Sequence, residues 1–200
     1  MNHKIILTDC DGVLLDWELS FDRWMAEQGH IMVPGGDQKY DISKRYAISR
    51  PDAVSLIRKF NESDNIGRLT PLRDAVHYVR KLHQDHGYVF HCITSLTTDS
   101  HACALRERNL KNLFGDNIFE KFVFLDTGAD KDQALETYRN SGYYWVEDKI
   151  LNCEVGVQLG LRSILIEHNH NKDYVSNSIL RVENWNDIYS IALGKNVNYQ

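Results

Sequence analysis

The chain has 200 residues and a formal net charge of −5, with 42% hydrophobic and 26% charged residues. That is enough to bury one good core with a small unit appended to it. The absence of any apolar run near the ~18 residues of a membrane span excludes a spanning helix, and the absence of a Lys/Arg cluster argues against a nucleic-acid polymer as partner. The N-terminus lacks a signal peptide's apolar stretch and cleavage site, so the cytoplasm is the expected location. Cys10, Cys92, Cys103 and Cys153 are scattered and form no CxxC pair, which predicts reduced, small hydrophobes rather than disulfides or a zinc site.

In chain order, the first element is an apolar strand over 4–8, inside KIILTDCDGVLLD, which ends in Asp9 and Asp11. About 75 residues then intervene before the next strand, where a plain crossover needs a dozen or so. This insert reads as mostly helical. Trp17, Phe21 and Trp24 fall on one helical face, Pro34-Gly35-Gly36 marks a turn, and Pro51 opens a helix ending near Ser63. Thr70 and Pro71 read as the N-cap and first turn of a further helix closed by Gly87. Strands follow over 88–93, 121–125, 143–146 and 162–166. Helices are predicted over 99–112, 131–140 and 151–159, with a last one over 185–193. Continuous apolar strands alternating with helices predict an α/β fold, a Rossmann-like parallel sheet. Residues 1–13 and 88–200 form the expected core. Residues 14–87 form a small helical cap, inserted after the first strand, and the return to the core.

In parallel sheets the ligand crevice lies at the carboxyl ends of the strands. The residues just past each apolar run are Asp9 and Asp11; Thr94 and Ser95; Lys131, after the loop 126–130; and Glu147 and Asp148. Several carboxylates crowded together repel one another unless a cation sits among them, and hard oxygen ligands suit Mg²⁺. A cation beside a lysine and a hydroxyl suits a phosphate. Asp9 is then a candidate nucleophile and Asp11 a candidate acid and base, with Thr94, Ser95 and Lys131 on the phosphate oxygens. Asp9, Asp11, Asp148 and Glu147 are the candidate metal ligands. Gly12 permits the turn that lets the two aspartates diverge.

These residues resemble the haloacid dehalogenase superfamily of phosphohydrolases. DCDG stands for its first motif, CITS with Thr94 for its second, GADKDQAL with Lys131 for its third and WVEDKILNCEVGVQLGL with Glu147 and Asp148 for its fourth. The resemblance implies a Mg²⁺-dependent phosphatase acting through an aspartyl-phosphate on a small phosphorylated metabolite. DGVLLDW, LTPLRDAVHYVRKL, EHNHN and ENWNDIYSI are further similar to the 5′(3′)-deoxyribonucleotidases, although motif four here is Glu-Asp where that family commonly has two Asp. That likeness implies a deoxyribonucleoside monophosphate as substrate, with Trp17 stacking on the base. A sugar phosphate or another metabolite is the alternative within the superfamily. Outside enzymes, a phospho-accepting receiver module also gathers acids, a hydroxyl and a lysine at strand ends, but it carries no such insert. A dinucleotide-binding module would need GxGxxG where DCDG stands. His168 and His170 read as part of a solvated, Asn-rich loop, and Arg45 and Arg50 as either surface charges or substrate contacts. Oligomeric state is not legible.

Overall fold

The computed structural model describes residues 4–195. Six parallel strands form one sheet: β1 (Lys4–Thr8), β2 (Tyr88–Thr94), β3 (Phe119–Phe124), β4 (Tyr144–Glu147), β5 (Arg162–Ile166) and β6 (Leu180–Val182), in the order β3-β2-β1-β4-β5-β6. The α/β reading of the sequence holds. β6 is not among the predicted strands, because three residues are too few for a periodic signal. β3 begins two residues earlier than predicted, where Phe119 pairs with Phe90 before a register shift.

Alternation along the central strand divides the core. Ile6 joins Phe90, Phe114 and Trp185 on one face, while Leu7 joins Ile93, Leu135, Trp145 and Leu159 on the other. Burying each such side chain is worth about 1.5–3 kcal/mol. Helices α4 (Ala75–His86), α5 (Ser100–Phe114) and α8 (Trp185–Ala192) pack with the first face. The short α6 (Asp132–Glu136) and α7 (Ile150–Gln158) pack together on the second. α5 starts where Asp99 accepts the Ala102 N–H, and α4 stops at Gly87, whose φ of 70° is a left-handed cap.

Three helices make the insert: α1 (Trp17–Glu27), α2 (Ile42–Arg45) and α3 (Arg50–Asn61). α1 is capped by Asp16 and α3 by Ser49, with Pro51 in its first turn. The predicted aromatic face is real. Phe21 and Trp24 are buried and meet Phe60 of α3, and Phe21 meets Tyr46. Arg45 is buried on Glu18 and Asp22, so it is a structural charge.

Thr70 and Pro71 correct the sequence reading. They do not open α4, which begins at Ala75. Instead this stretch is extended and runs beside the chain leaving β1: Asp16 N–H donates to Thr70 O and Leu72 N–H to Leu14 O, both at 2.9 Å. Tertiary pairing outweighs the local preference of Thr-Pro for a helix start. The two crossings between sheet and insert are thereby tied side by side. The predicted helix over 131–140 is likewise only the five residues of α6, with Lys131 at its N-cap position.

Candidate active site

Every strand-tip residue singled out in the sequence lines one cavity of about 470 Å³ between the sheet's carboxyl edge and the insert. Asp9, Asp11, Thr94, Ser95, Lys131, Glu147 and Asp148 form its sheet side. Trp17, Tyr40, Ile42, Arg50, Val54 and Ile57 are among the residues that form the opposite wall.

Lys131 is the centre of the charged floor. Only 2% exposed, its Nζ lies 2.7 Å from Asp9 Oδ2 and 2.8 Å from Glu147 Oε2. Burial works against its charge, but the two carboxylates beside it raise its pKa and hold it protonated. The other oxygen of Asp9 accepts the Cys10 N–H at 2.7 Å, and Glu147 Oε1 accepts the Lys149 N–H at 3.1 Å.

Asp9, Glu147 and Asp148 each bring a carboxylate oxygen within 4.8 Å of the others. Burial, then the charge of Glu147, raises Asp9 to about 6 against the pull of Lys131. Burial, then the charge of Asp9, raises Asp148 to about 7. Burial raises Glu147 too, against the pull of Lys131. Three hard oxygen donors whose ionisation is resisted by one another and by their surroundings are chemically suited to a divalent cation.

Gly12 is required at its position twice over. Its φ is 72°, and a Cβ there would stand 2.6 Å from Asp148 Oδ2. The acid just past β4 therefore packs directly on the turn after β1. Asp11 does not join the other three carboxylates: its Oδ1 lies 2.7 Å from Nη1 of Arg106, on α5. Thr94 is buried at the end of β2, and the Ser95 hydroxyl donates to Ala129 O at 2.7 Å.

Trp17 combines the two roles the sequence set against each other. It stacks on Phe21 with ring centroids 4.5 Å apart, its Nε1 donates to Asn61 Oδ1 at 2.9 Å, and it still lines the cavity.

Sequence reasoning missed three neighbours. His168 and His170 are not in a solvated loop: they stack on each other and line the cavity, and His168 Nε2–H donates to Gly12 O at 2.7 Å. They follow β5, so the strand-tip rule applied to a fifth strand would have found them. Arg106 is the third. It shares the buried face of α5 with Ala102, Asn109 and Leu110, so the one charged residue on an otherwise uncharged helical stripe was the available signal.

The strand order differs from the 2-1-3-4-5 order of receiver modules. It matches that of dinucleotide-binding sheets, but two carboxylates occupy the first turn, where those proteins present glycines to a pyrophosphate. No family model matches the chain. It is 27% identical over 192 residues to an uncharacterised 32.4 kDa protein of the Gp30–rIII intergenic region of Enterobacteria phage T4, covering 92% of this chain and 67% of the phage protein. Among solved structures it is similar to a haloacid dehalogenase-like hydrolase from Streptococcus pneumoniae, with TM-score 0.65, 16% identity and coverage of 94% and 98% of the two chains. A predicted phosphoglycolate phosphatase from Haemophilus somnus has TM-score 0.65 and 14% identity over 96% and 98%. A D,D-heptose 1,7-bisphosphate phosphatase from B. bronchiseptica, complexed with magnesium and phosphate, has TM-score 0.59 and 14% identity over 96% and 98%. The fold is thus that of the haloacid dehalogenase-like hydrolases. Among the described residues no helix is long and apolar enough to cross a membrane.

Proposed function

We propose that the chain is a Mg²⁺-dependent phosphatase that hydrolyses a small phosphate monoester through an aspartyl-phosphate on Asp9. The observation that carries this reading is Lys131 Nζ, buried between Asp9 and Glu147 on the floor of a cavity that also presents Thr94, Ser95 and Asp11. Asp9, Asp148 and Glu147 would hold the ion. When bound, it supplies positive charge to the phosphoryl oxygens and relieves the repulsion among the three acids.

The residues divide the work. Asp9 attacks phosphorus, so that an O–P bond to Asp9 forms as the bond to the leaving oxygen breaks. Asp11 gives that oxygen its proton. It then takes a proton from water, which attacks the same phosphorus and releases Asp9. Lys131 and the Thr94 hydroxyl bind the equatorial oxygens, where charge is stabilised in the transition state. Lys131 also keeps Asp9 ionised against the effect of burial, so that it remains a nucleophile.

A deoxyribonucleoside monophosphate is the leading substrate. Trp17 and the apolar side chains of Ile42, Val54 and Ile57 favour a flat, partly apolar leaving group. The alternative is a sugar phosphate. Glu18 and Asp41 on the same wall are acceptors for hydroxyl groups, and the heptose bisphosphate phosphatase of like fold acts on such a molecule. A phosphatase screen over nucleotides and sugar phosphates, with and without Mg²⁺, tests the reading. Turnover of no phosphate monoester under any condition would overturn it.

A further inference from the structure

Arg106 is the most deeply buried charge near the site, with no exposed surface. Burying a guanidinium is costly, and an apolar side chain of similar volume often serves stability as well or better. Its surroundings do little to satisfy it. Nη1 donates to Cys10 Sγ at 2.9 Å and makes the ion contact with Asp11, while Nε and Nη2 have no hydrogen-bond partner among the described residues. Asp11 is its one ion-pair partner there. A buried cation left so poorly paired is poorly explained by packing alone.

The contact also divides the two oxygens of Asp11. Oδ1 is buried 2.7 Å from Arg106 Nη1, an ion contact without hydrogen-bond geometry, whereas the Asp11 side chain keeps 24% of its surface and lines the cavity. Oδ2 is the oxygen left open to substrate.

We propose that Arg106 is a positioning residue for Asp11. Its guanidinium anchors Oδ1 beneath the site, so that Oδ2 is presented to the oxygen of the departing group. Among the described residues no group of DxDG pairs with the Asp11 side chain, so its anchor comes from α5. The inference rests on the phosphatase reading and on Asp11 as proton donor.

Leaving-group dependence tests it. An aryl monoester such as p-nitrophenyl phosphate releases an oxygen that needs little protonation, whereas an alkyl monoester needs the proton. Because kcat/KM covers only the steps up to departure of the leaving group, it isolates the donor. The substrates are p-nitrophenyl phosphate and the alkyl monoester turned over fastest in the screen. General-acid catalysis is worth about 10²–10⁴-fold, and a misplaced group loses a large part of it. Arg106→Met is therefore expected to lose about 10- to 100-fold in kcat/KM on the alkyl ester and less than about 3-fold on the aryl ester. Arg106→Lys, which keeps the charge but not the planar fork, should fall in between. A general packing defect would slow both substrates alike.

Asp11→Asn separates the two failures. If it loses both substrates equally, the proton-donor reading falls, and the inference with it. If it discriminates between them while folded Arg106→Met and Arg106→Lys do not, the inference alone is overturned. Should Arg106→Met fail to fold, Arg106→Lys is measured in the native and Asp11→Asn backgrounds. Its alkyl-specific cost should disappear in the second, and an equal cost in both would overturn the proposal.

Discussion

On the sheet side of the cavity, Thr94, Lys131 and Glu147 are almost wholly buried, and each sits at a strand end or the start of a helix. On the insert side, Tyr40 and Val54 leave 56% and 52% of their surface in solvent. The sheet side concentrates ions: four carboxylates, Asp9, Asp11, Glu147 and Asp148, beside the buried cations Lys131 and Arg106 and the partly exposed Lys149. Such a cluster is a poor device for stability, since each buried ion carries a desolvation cost. The insert side is mainly aromatic and aliphatic, with Arg50 its one cation. On the proposed function the difference separates chemistry from selection: the strand ends would hold the groups that touch phosphorus, and the helical insert those that touch the rest of the substrate.

The sharpest way to break this contrast is at Asp9. Asp9→Asn should lower kcat on the order of 10⁶-fold, the scale on which a lost covalent nucleophile is felt in other enzymes. The loss should be equal for every substrate, measured by phosphate release. Near-native turnover would remove the covalent mechanism. Chelation comes next. EDTA should bring activity to background and Mg²⁺ restore it, whereas Asp148→Asn should need far more Mg²⁺ for half-maximal rate. Titration of activity against free Mg²⁺ reads both, and full activity in metal-free buffer would contradict the assignment of the three acids.

A change on the insert side should act on substrate ratios instead. Stacking on an aromatic is worth about 1–3 kcal/mol per base, so Trp17→Ala should lower kcat/KM for nucleoside monophosphates by about 5- to 150-fold. Activity on p-nitrophenyl phosphate or a sugar phosphate should change much less. Because Trp17 also packs on Phe21, the thermal midpoint should fall as well, and both are measured on one preparation. A large loss of stability with unchanged substrate ratios would leave Trp17 a purely structural residue.

The smallest expected effect is on stability. Asp9 and Asp148 have folded pKa values of about 6 and about 7, above the ordinary carboxylate range near 4. A raised carboxyl favours the fold while protonated, and that contribution is lost as pH rises through the folded value. Metal-free protein should therefore lose stability from this pair between about pH 4 and pH 7.5. Thermal denaturation in EDTA across that range checks it. Asp148→Asn should flatten the decline, and added Mg²⁺ should stabilise more at pH 7.5 than at pH 5. An undiminished decline in Asp148→Asn would place the effect elsewhere.

Much of the sheet side was legible in the chain because its determinants are local. An apolar run makes a buried strand, the residue after it falls on the carboxyl edge, and Asp9, Thr94 and Glu147 needed only that rule to be grouped, with Lys131 opening the helix after the next loop. The helical character of the insert was equally local, since Phe21 and Trp24 share a face by spacing alone. What required the folded molecule were contacts between distant segments. The extended Thr70–Pro71 stretch depends on a partner strand near Leu15, and β6 exists only because β5 is there to pair with it. Arg106 meets Asp11 only when α5 packs beneath the turn after β1. His168 reaches Gly12 only when the loop after β5 folds back across that same turn. Periodicity and strand ends are properties of short windows, so the sequence by itself determined the class of fold and the acids, hydroxyls and lysine of the floor. The direction in which Asp11 points, the double engagement of Trp17 and the histidines beside the turn were decided by packing between elements far apart in the chain, which no short window contains.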